Sequence, residues 1–312
     1  MNKTSLIFKY FQKKDLLRVK NKEYQKTLSS LFTFLVENDK VKEDKTGNIV
    51  PDKKITAKVL AREKGIAAGI EELCFLIKNF TSLSLKPKIK DGEEFEKDDI
   101  IAEINGGSRE ILAYERTMLN ILQRASGIAT QTNRMVTIIN KQIFIAATRK
   151  TPWMTLDKKA VAVGGGLTHR LSLADGILVK DNHLESLRVV HHLKDNTEAI
   201  TKALEMILPK VKNQLVEVEV KNENEAIQAI TTFQEGTSNN YLALLFDNFT
   251  PEQLQQTIQK LNKQFDLGNI ITEASGGIDE GNLLQWTETG VDILSLGALT
   301  HSTEAANLSL EF

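Results

Sequence analysis

The chain has 312 residues, enough for one large α/β barrel or two ordinary domains. Its 41% hydrophobic and 26% charged residues are those of a globular protein, and a formal net charge of −1 excludes a global field drawing it to nucleic acid or an anionic membrane. One cysteine, Cys74, excludes an internal disulfide and a cysteine-rich zinc site and suits a cytoplasmic compartment, while no apolar run approaches the length of a membrane span.

Residues 1–23 read as a basic extension in which Leu6, Ile7, Phe8, Phe11, Leu16 and Leu17 stand among lysines. That pattern favours an amphipathic segment packed on the body or on a partner subunit over a targeting helix. From Tyr24 to Glu37, Leu28, Leu31, Phe32 and Leu35 fall at helical spacing. "KEDKTGNIVPD" is a polar loop, and Ile55, Ala57, Val59 and Ala61 then alternate with other residues at the strand period. "AAGIEELCFLIKNF" predicts a helix, and "LKPKIKDGEEFEKDDIIAEI" has alternating runs about an Asp91-Gly92 turn, a hairpin-like signal. This first third is a small α+β domain. From Arg109 to about Asn140 the pattern is helical, with small residues at Ala125, Ser126, Gly127 and Ala129 where a helix approaches another backbone.

Six short apolar runs follow, at 143–147, 176–180, 215–220, 241–247, 270–274 and 293–297, and helix-like stretches separate most of them. Alternation at this spacing predicts parallel βα units. No G-x-G-x-x-G follows the first run, which favours a barrel over a dinucleotide-binding sheet.

The runs end in polar groups: Thr148-Arg149-Lys150, Lys180-Asp181-Asn182, Glu217 and Glu219, Asp247-Asn248, Ser275-Gly276-Gly277, and Gly297-Ala298. In a βα barrel the C-terminal strand ends converge on the face that holds the active site. Arg149, Lys150, Arg170 and Lys180, with His169, form a cationic set that implies an anionic ligand. Glu219 and Asp247 could hold Mg²⁺ or accept sugar hydroxyls. The glycines of the last two runs let backbone N–H groups reach a phosphate. Blander roles compete at some positions. Asn248 reads as turn chemistry before Thr250-Pro251, Glu217 with Glu219 as a salt-bridged barrel interior, and His191-His192 as surface residues. No histidine pair has zinc spacing.

In order along the chain stand "YERTMLNILQRASGIAT", "ATRKT", "GGGLTHRLSLADGILVKDNH", "VEVEV", "LLFDN", "EASGGI" and "LGALTHS". Together they resemble the signature segments of quinolinate phosphoribosyltransferase, from about Tyr24 to the C-terminus. The resemblance implies an incomplete parallel α/β barrel preceded by a smaller α+β sandwich domain. Residues 24–120 would form the sandwich, 121–302 the barrel, and 303–312 a candidate return to the sandwich. It also implies a homodimer or higher homo-oligomer with shared active sites, and the substrates quinolinate and phosphoribosyl pyrophosphate (PRPP) with Mg²⁺; the charge balance and the apolar-run lengths give the expectation of no nucleic-acid or membrane partner. Products would be nicotinate mononucleotide, pyrophosphate and CO₂.

Carried over by motif, Arg116 would reach the neighbouring subunit's site, and Arg149, His169 and Arg170 would bind substrate. Lys150, Lys180, Glu219 and Asp247 would be catalytic, the two acids also holding Mg²⁺. Ser275, Gly276, Gly277, Gly297 and Ala298 would bind phosphate. The chain departs from the family at Pro152-Trp153-Met154, where a glycine usually follows the proline, and at "ENDKVKEDKTGN", which replaces an acidic, glycine-containing opening. The competing readings are a relative acting on nicotinate or another aromatic acid, a Schiff-base aldolase using Lys180, and a non-catalytic scaffold.

Overall fold

A computed structural model describes residues 2–140, 142–236 and 239–312. The helices are α1 (Lys3–Phe11), α2 (Lys22–Asn38), α3 (Ile70–Phe80), α4 (Ser108–Ile138), α5 (Thr155–Val163), α6 (Asp181–His191), α7 (Asn196–Ile207), α8 (Glu223–Glu235), α9 (Pro251–Gln264) and α10 (Ala298–His301). The strands are β1 (Lys54–Ala61), β2 (Gly65–Ile66), β3 (Ser84–Pro87), β4 (Glu94–Phe95), β5 (Ile100–Gly107), β6 (Phe144–Ala147), β7 (Ile177–Val179), β8 (Leu215–Val220), β9 (Tyr241–Asp247), β10 (Ile270–Ser275), β11 (Ile293–Leu296) and β12 (Leu308–Glu311). No helix among the described residues is long and apolar enough to cross a membrane.

The chain forms two compact units, and the division does not fall at one point in the sequence. The first contains residues 1–12, 135–149 and 169–296; the second contains 13–134, 150–168 and 297–312.

In the first unit all six predicted strands form one parallel sheet in the order β6-β11-β10-β9-β8-β7. The first strand in sequence pairs with the last, as in a barrel, while β6 and β7 stand at the two edges, so the barrel is incomplete. The strands read as near-continuous apolar runs because a parallel sheet is buried on both faces. On β8, Val216, Val218 and Val220 share one buried face while Leu215, Glu217 and Glu219 share the other. Helices α7, α8 and α9 bury Ile200, Leu204, Ala226, Ile230, Leu254 and Leu261. Helix α1, N-capped by Asn2, buries Leu6, Ile7 and Phe11 in this unit, so the expected amphipathic segment packs on the body of the protein.

The second unit has an antiparallel sheet ordered β12-β1-β5-β3 and a two-stranded β2-β4 pair. The C-terminal strand β12 returns to pair with β1, Val59 opposite Leu310. Ala57, Val59 and Ala61 point into the core at the expected period of two, and Ile111, Met118, Leu119 and Leu122 present one stripe of α4 to it. A side-chain carbon at Gly127 would lie 2.0 Å from the Glu304 carbonyl, so the small-residue stretch of α4 is where the chain's tail crosses it.

Asp91-Gly92 does not make the tight hairpin that alternation suggested: β3 pairs with β5 across the whole 88–99 segment. Asp91 instead accepts hydrogen bonds from the Ile70 and Glu71 N–H groups at 2.8 and 3.4 Å. Helix α3 follows Gly69, which has no side chain to cap it, and Asp91 supplies the missing acceptor from outside the helix. Beside it Glu72 is fully buried, accepting from the Tyr24 hydroxyl at 3.1 Å, with the Lys159 ammonium at 3.4 Å. Burial pushes its pKa from the ordinary 4.5 up to about 7, the Lys159 charge only partly offsetting this.

That shift makes stability depend on pH. Below about 4.5 Glu72 is protonated in folded and unfolded chains alike. Between about 4.5 and about 7 only the unfolded chain releases the proton, and each pH unit removes about 1.4 kcal/mol of stability. Glu72→Gln should therefore gain stability relative to the parent as pH rises from 5 to 7, then hold that gain to pH 8. Urea denaturation of both proteins across this range measures the difference; a pH-independent difference would refute the assignment.

Candidate active site

In the first unit the polar groups gather where the parallel strands end. Arg149 follows β6 and is exposed. Arg170, in the connection between α5 and β7, is 9% exposed, and its guanidinium donates to the Gly176 carbonyl at 3.2 Å. Burial lowers its pKa, and the nearby Arg149 charge lowers it further, against the opposing pull of Glu217, Asp175 and Glu273. An anion between the two arginines would relieve that repulsion.

Lys180 follows β7, half exposed, with its ammonium 3.2 Å from Glu219 Oε2. Glu219 Oε1 accepts the Asp181 N–H at 3.4 Å. The three residues after Lys180 serve the turn into α6. His183 Nδ1 accepts the Lys180 N–H at 2.9 Å, Asp181 accepts the Asn182 N–H at 2.7 Å, and Asp181 pairs with Lys221 at 3.1 Å.

Asp247 ends β9. Leu245 is the register partner of Glu219, so Asp247 lies on the same face, one two-residue step further along. Asp247 Oδ2 accepts from Asn248 Nδ2 at 2.8 Å, and Oδ1 has no hydrogen-bond partner among the described residues. Two carboxylates on one face of neighbouring strands are the hard oxygen donors that Mg²⁺ takes from a protein, alongside substrate oxygens, so the residues fit that ion. Asn248, read as turn chemistry, has a left-handed φ of 58°, and its N–H donates to the Ser275 carbonyl at 2.9 Å. The Ser275 hydroxyl donates to the Ser295 carbonyl at 3.1 Å. Gly276 and Gly277 follow at φ of 101° and 63°, both in the left-handed region.

His169 lies deeper. Its ring is turned inward, with Nε2 3.3 Å from Glu273 and 3.5 Å from Glu217. Nδ1 accepts the Arg170 N–H at 2.7 Å. Burial works to lower the imidazole pKa, but the charges of Glu273 and Glu217 outweigh it and raise it to about 9. Nε2 is the ring nitrogen that faces the two carboxylates, and Nδ1 the one that faces the backbone. Burial pushes Glu217 up to about 7. Burial also works to raise Glu273, but His169 overrides it and the pKa falls. Both ring nitrogens of His169, expected among the substrate-facing cations, are thus engaged by the protein itself.

Four candidate residues belong to the second unit. Arg116 is exposed on α4 and has no ion pair or hydrogen bond among the described residues. The Lys150 carbonyl accepts from the Thr300 hydroxyl at 2.7 Å. A side-chain carbon at Gly297 would lie 3.3 Å from Lys150 Cδ, and Ala298 opens α10 immediately after. The Pro152-Trp153-Met154 segment is held by Asp157, which accepts the Trp153 N–H at 3.2 Å and binds Arg124 through two contacts of 2.8 Å. The Arg124 guanidinium also lies 5.6 Å above the Trp153 ring.

Glu273 and Phe11 escaped the sequence reading. Glu273 could have been found, because it stands two residues before Ser275 and shares its strand face. Phe11, whose ring meets His169 edge-on at 4.8 Å, has no such signal.

Residues 35–126 match the quinolinate phosphoribosyl transferase N-terminal domain and residues 128–311 the C-terminal domain of the same family. The chain is 38% identical over 276 residues to a probable nicotinate-nucleotide pyrophosphorylase (carboxylating) of Methanocaldococcus jannaschii, covering 85% of this chain and 90% of that one. It is 36% identical over 271 residues to the protein of the same description from Bacillus subtilis, covering 85% and 86%. The structure of the nicotinate-nucleotide pyrophosphorylase from Francisella tularensis superposes with a TM-score of 0.76 at 31% identity, covering 92% of this chain and 96% of that one.

The two adjacent glycines separate strain from crowding. A side-chain carbon at Gly276 would lie 2.2 Å from Asn248 Oδ1, whereas none would meet an atom within 4 Å at Gly277. Gly277→Ala should cost only left-handed strain, about 1 kcal/mol, and Gly276→Ala that strain plus displacement of the Asn248 turn, about 3 kcal/mol or more. Chemical denaturation of the two variants tests the order.

Proposed function

The chain belongs to the quinolinate phosphoribosyltransferase family, and from that premise we propose how its own residues divide the reaction. The protein is a pentosyltransferase of de novo NAD synthesis. It joins quinolinate to PRPP, giving nicotinate mononucleotide, pyrophosphate and CO₂. The observation that carries this reading is the match to both family domains, over 35–126 and 128–311. The family assignment replaces the Schiff-base reading of Lys180.

Arg149 and Arg170 bind the two quinolinate carboxylates, a role in keeping with the mutual repulsion that an anion would relieve. Lys180 adds a third cation at the end of β7. Its ammonium, held by Glu219, would meet the dicarboxylate or the leaving pyrophosphate. Glu219 and Asp247 orient the ribose hydroxyls, and their negative charge stabilises the oxocarbenium-like transition state. The same two acids would hold Mg²⁺, which when bound neutralises charge on the pyrophosphate. Ser275, Gly276 and Gly277 receive the ribose 5-phosphate. By the family's motifs Gly297 and Ala298 also bind phosphate, and Lys150 is catalytic.

The ring nitrogen forms a bond to C1 of the ribose as the C1–oxygen bond breaks and its electron pair leaves with pyrophosphate. The resulting pyridinium accepts the electron pair of the adjacent C–carboxylate bond, CO₂ departs, and a proton takes its place on the ring. No further cofactor is needed for that step. We further propose a homodimer in which Arg116 enters the neighbouring site, supported by its exposure and lack of a partner among the described residues. A cytoplasmic location is in keeping with the free thiol of Cys74.

The purified protein, given PRPP, Mg²⁺ and either quinolinate or nicotinate, should produce the mononucleotide with stoichiometric CO₂ from quinolinate alone. Arg149→Ala and Arg170→Ala should each lower kcat/KM by about a hundredfold or more with the fold retained. Near-normal turnover in both variants would sink the assignment of these two residues.

A further inference from the structure

Helix α1 lies outside both matched family domains, which begin at residue 35. Its contacts in the first unit nevertheless follow a pattern. Lys3 pairs with Asp292 at 3.1 Å, and Phe8 packs edge-on against Phe144 with centroids 5.4 Å apart. The Tyr10 hydroxyl donates to the Asn213 carbonyl at 2.6 Å, and its ring meets Tyr241 at 5.7 Å. Asp292 immediately precedes β11 and Asn213 stands two residues before β8, while Phe144 and Tyr241 are the first residues of β6 and β9. Because the strands are parallel, α1 covers their N-terminal ends, the end opposite the candidate site.

The last residue of α1 reaches inward. The Phe11 carbonyl accepts the His169 N–H at 2.8 Å, and the Phe11 ring meets the imidazole edge-on at 4.8 Å. His169 has a left-handed φ of 53°, a conformation a non-glycine residue keeps only where its surroundings hold it. Those surroundings are Phe11 on one side and Glu217 with Glu273 on the other. The next residue is Arg170, whose N–H is bound to the His169 ring.

We propose that α1, through Phe11, locks the His169 turn and thereby positions Arg170 for quinolinate, so that Phe11 and His169 are positioning residues rather than substrate ligands. This rests on the reading of Arg170 as a carboxylate-binding residue. A group two removes from the ligand can act in this way because the orientation of a guanidinium depends on the backbone that carries it. The aromatic ring, the carbonyl acceptor and the two carboxylates leave His169 no second orientation that keeps all of its contacts.

The test is steady-state kinetics of Phe11→Ala, with quinolinate and PRPP varied separately and the fold checked by circular dichroism. Phe11→Ala should raise KM for quinolinate about tenfold or more while KM for PRPP stays within about twofold. Phe11→Leu, which refills most of the volume but lacks the ring that meets His169, should raise the quinolinate KM less than alanine does and leave the PRPP KM alone; if the alanine variant fails to fold, a parent-like quinolinate KM in Phe11→Leu would overturn the inference. An unchanged quinolinate KM in a folded variant, or equal rises for both substrates, would overturn the inference. Arg170→Ala run alongside separates the two layers. If it raises the quinolinate KM while Phe11→Ala does not, the inference alone fails. If it leaves that KM unchanged, the reading of the site fails and takes the inference with it.

Discussion

Two carboxylates, Glu217 and Glu273, lie almost without exposure on the inner face of the first unit's sheet, and the rest of that unit is arranged so that His169 can meet them. An uncompensated charge at such a place is costly, and removing one partner of a buried pair costs on the order of 3–5 kcal/mol. His169 supplies the compensation, and its ring meets the acids from a left-handed backbone. That turn in turn needs support from beneath, which Phe11 gives, and it delivers Arg170 as the next residue. A requirement for charge balance in the interior is thereby passed along the backbone to a cation of the site.

The second unit handles buried charge by the same physics with different parts. Lys159 reaches Glu71 at 2.7 Å and Glu72 at 3.4 Å, and it also donates to the Leu17 carbonyl at 2.8 Å. Asp91 caps α3 because Gly69 cannot. Asp157 serves the Lys150 segment similarly, gathering Arg124 and the Trp153 N–H onto one carboxylate. In this chain a loop bearing the family's T-R-K-T motif keeps its place through an ion pair, although the residues after Pro152 differ from the family's usual glycine.

Much of the fold was legible because parallel strands buried on two faces leave an apolar run between polar ends. "LVEVEV" and "YLALLFD" became β8 and β9 with the expected bounds. The signal weakened wherever a residue's partner is distant in sequence. Asp91-Gly92 has the composition of a hairpin turn, yet the Asp91 carboxylate is taken by a helix some twenty residues earlier. Glu217 and Glu219 have equal claims to a site by alternation alone. The structure gives Glu217 to the buried histidine and Glu219 to Lys180, because one lies two residues further along the strand toward its C-terminal end. His169 and Arg170 read as a pair of cations with one task, and a single left-handed φ sends their side chains to different surroundings.

The sequence by itself determined the class of fold, the order of the strands' polar ends and the family, because each depends on the kind of residue at each spacing along the chain. Only the tertiary structure decided that α1 covers the N-terminal end of the parallel sheet, and that Phe11 touches a histidine 158 positions later through a contact between residues 11 and 169. It alone decided that this histidine faces two acids from β8 and β10. Those contacts join segments whose patterns carry no trace of one another, and their energies come from burial and charge at one point in space, which spacing along the chain does not encode.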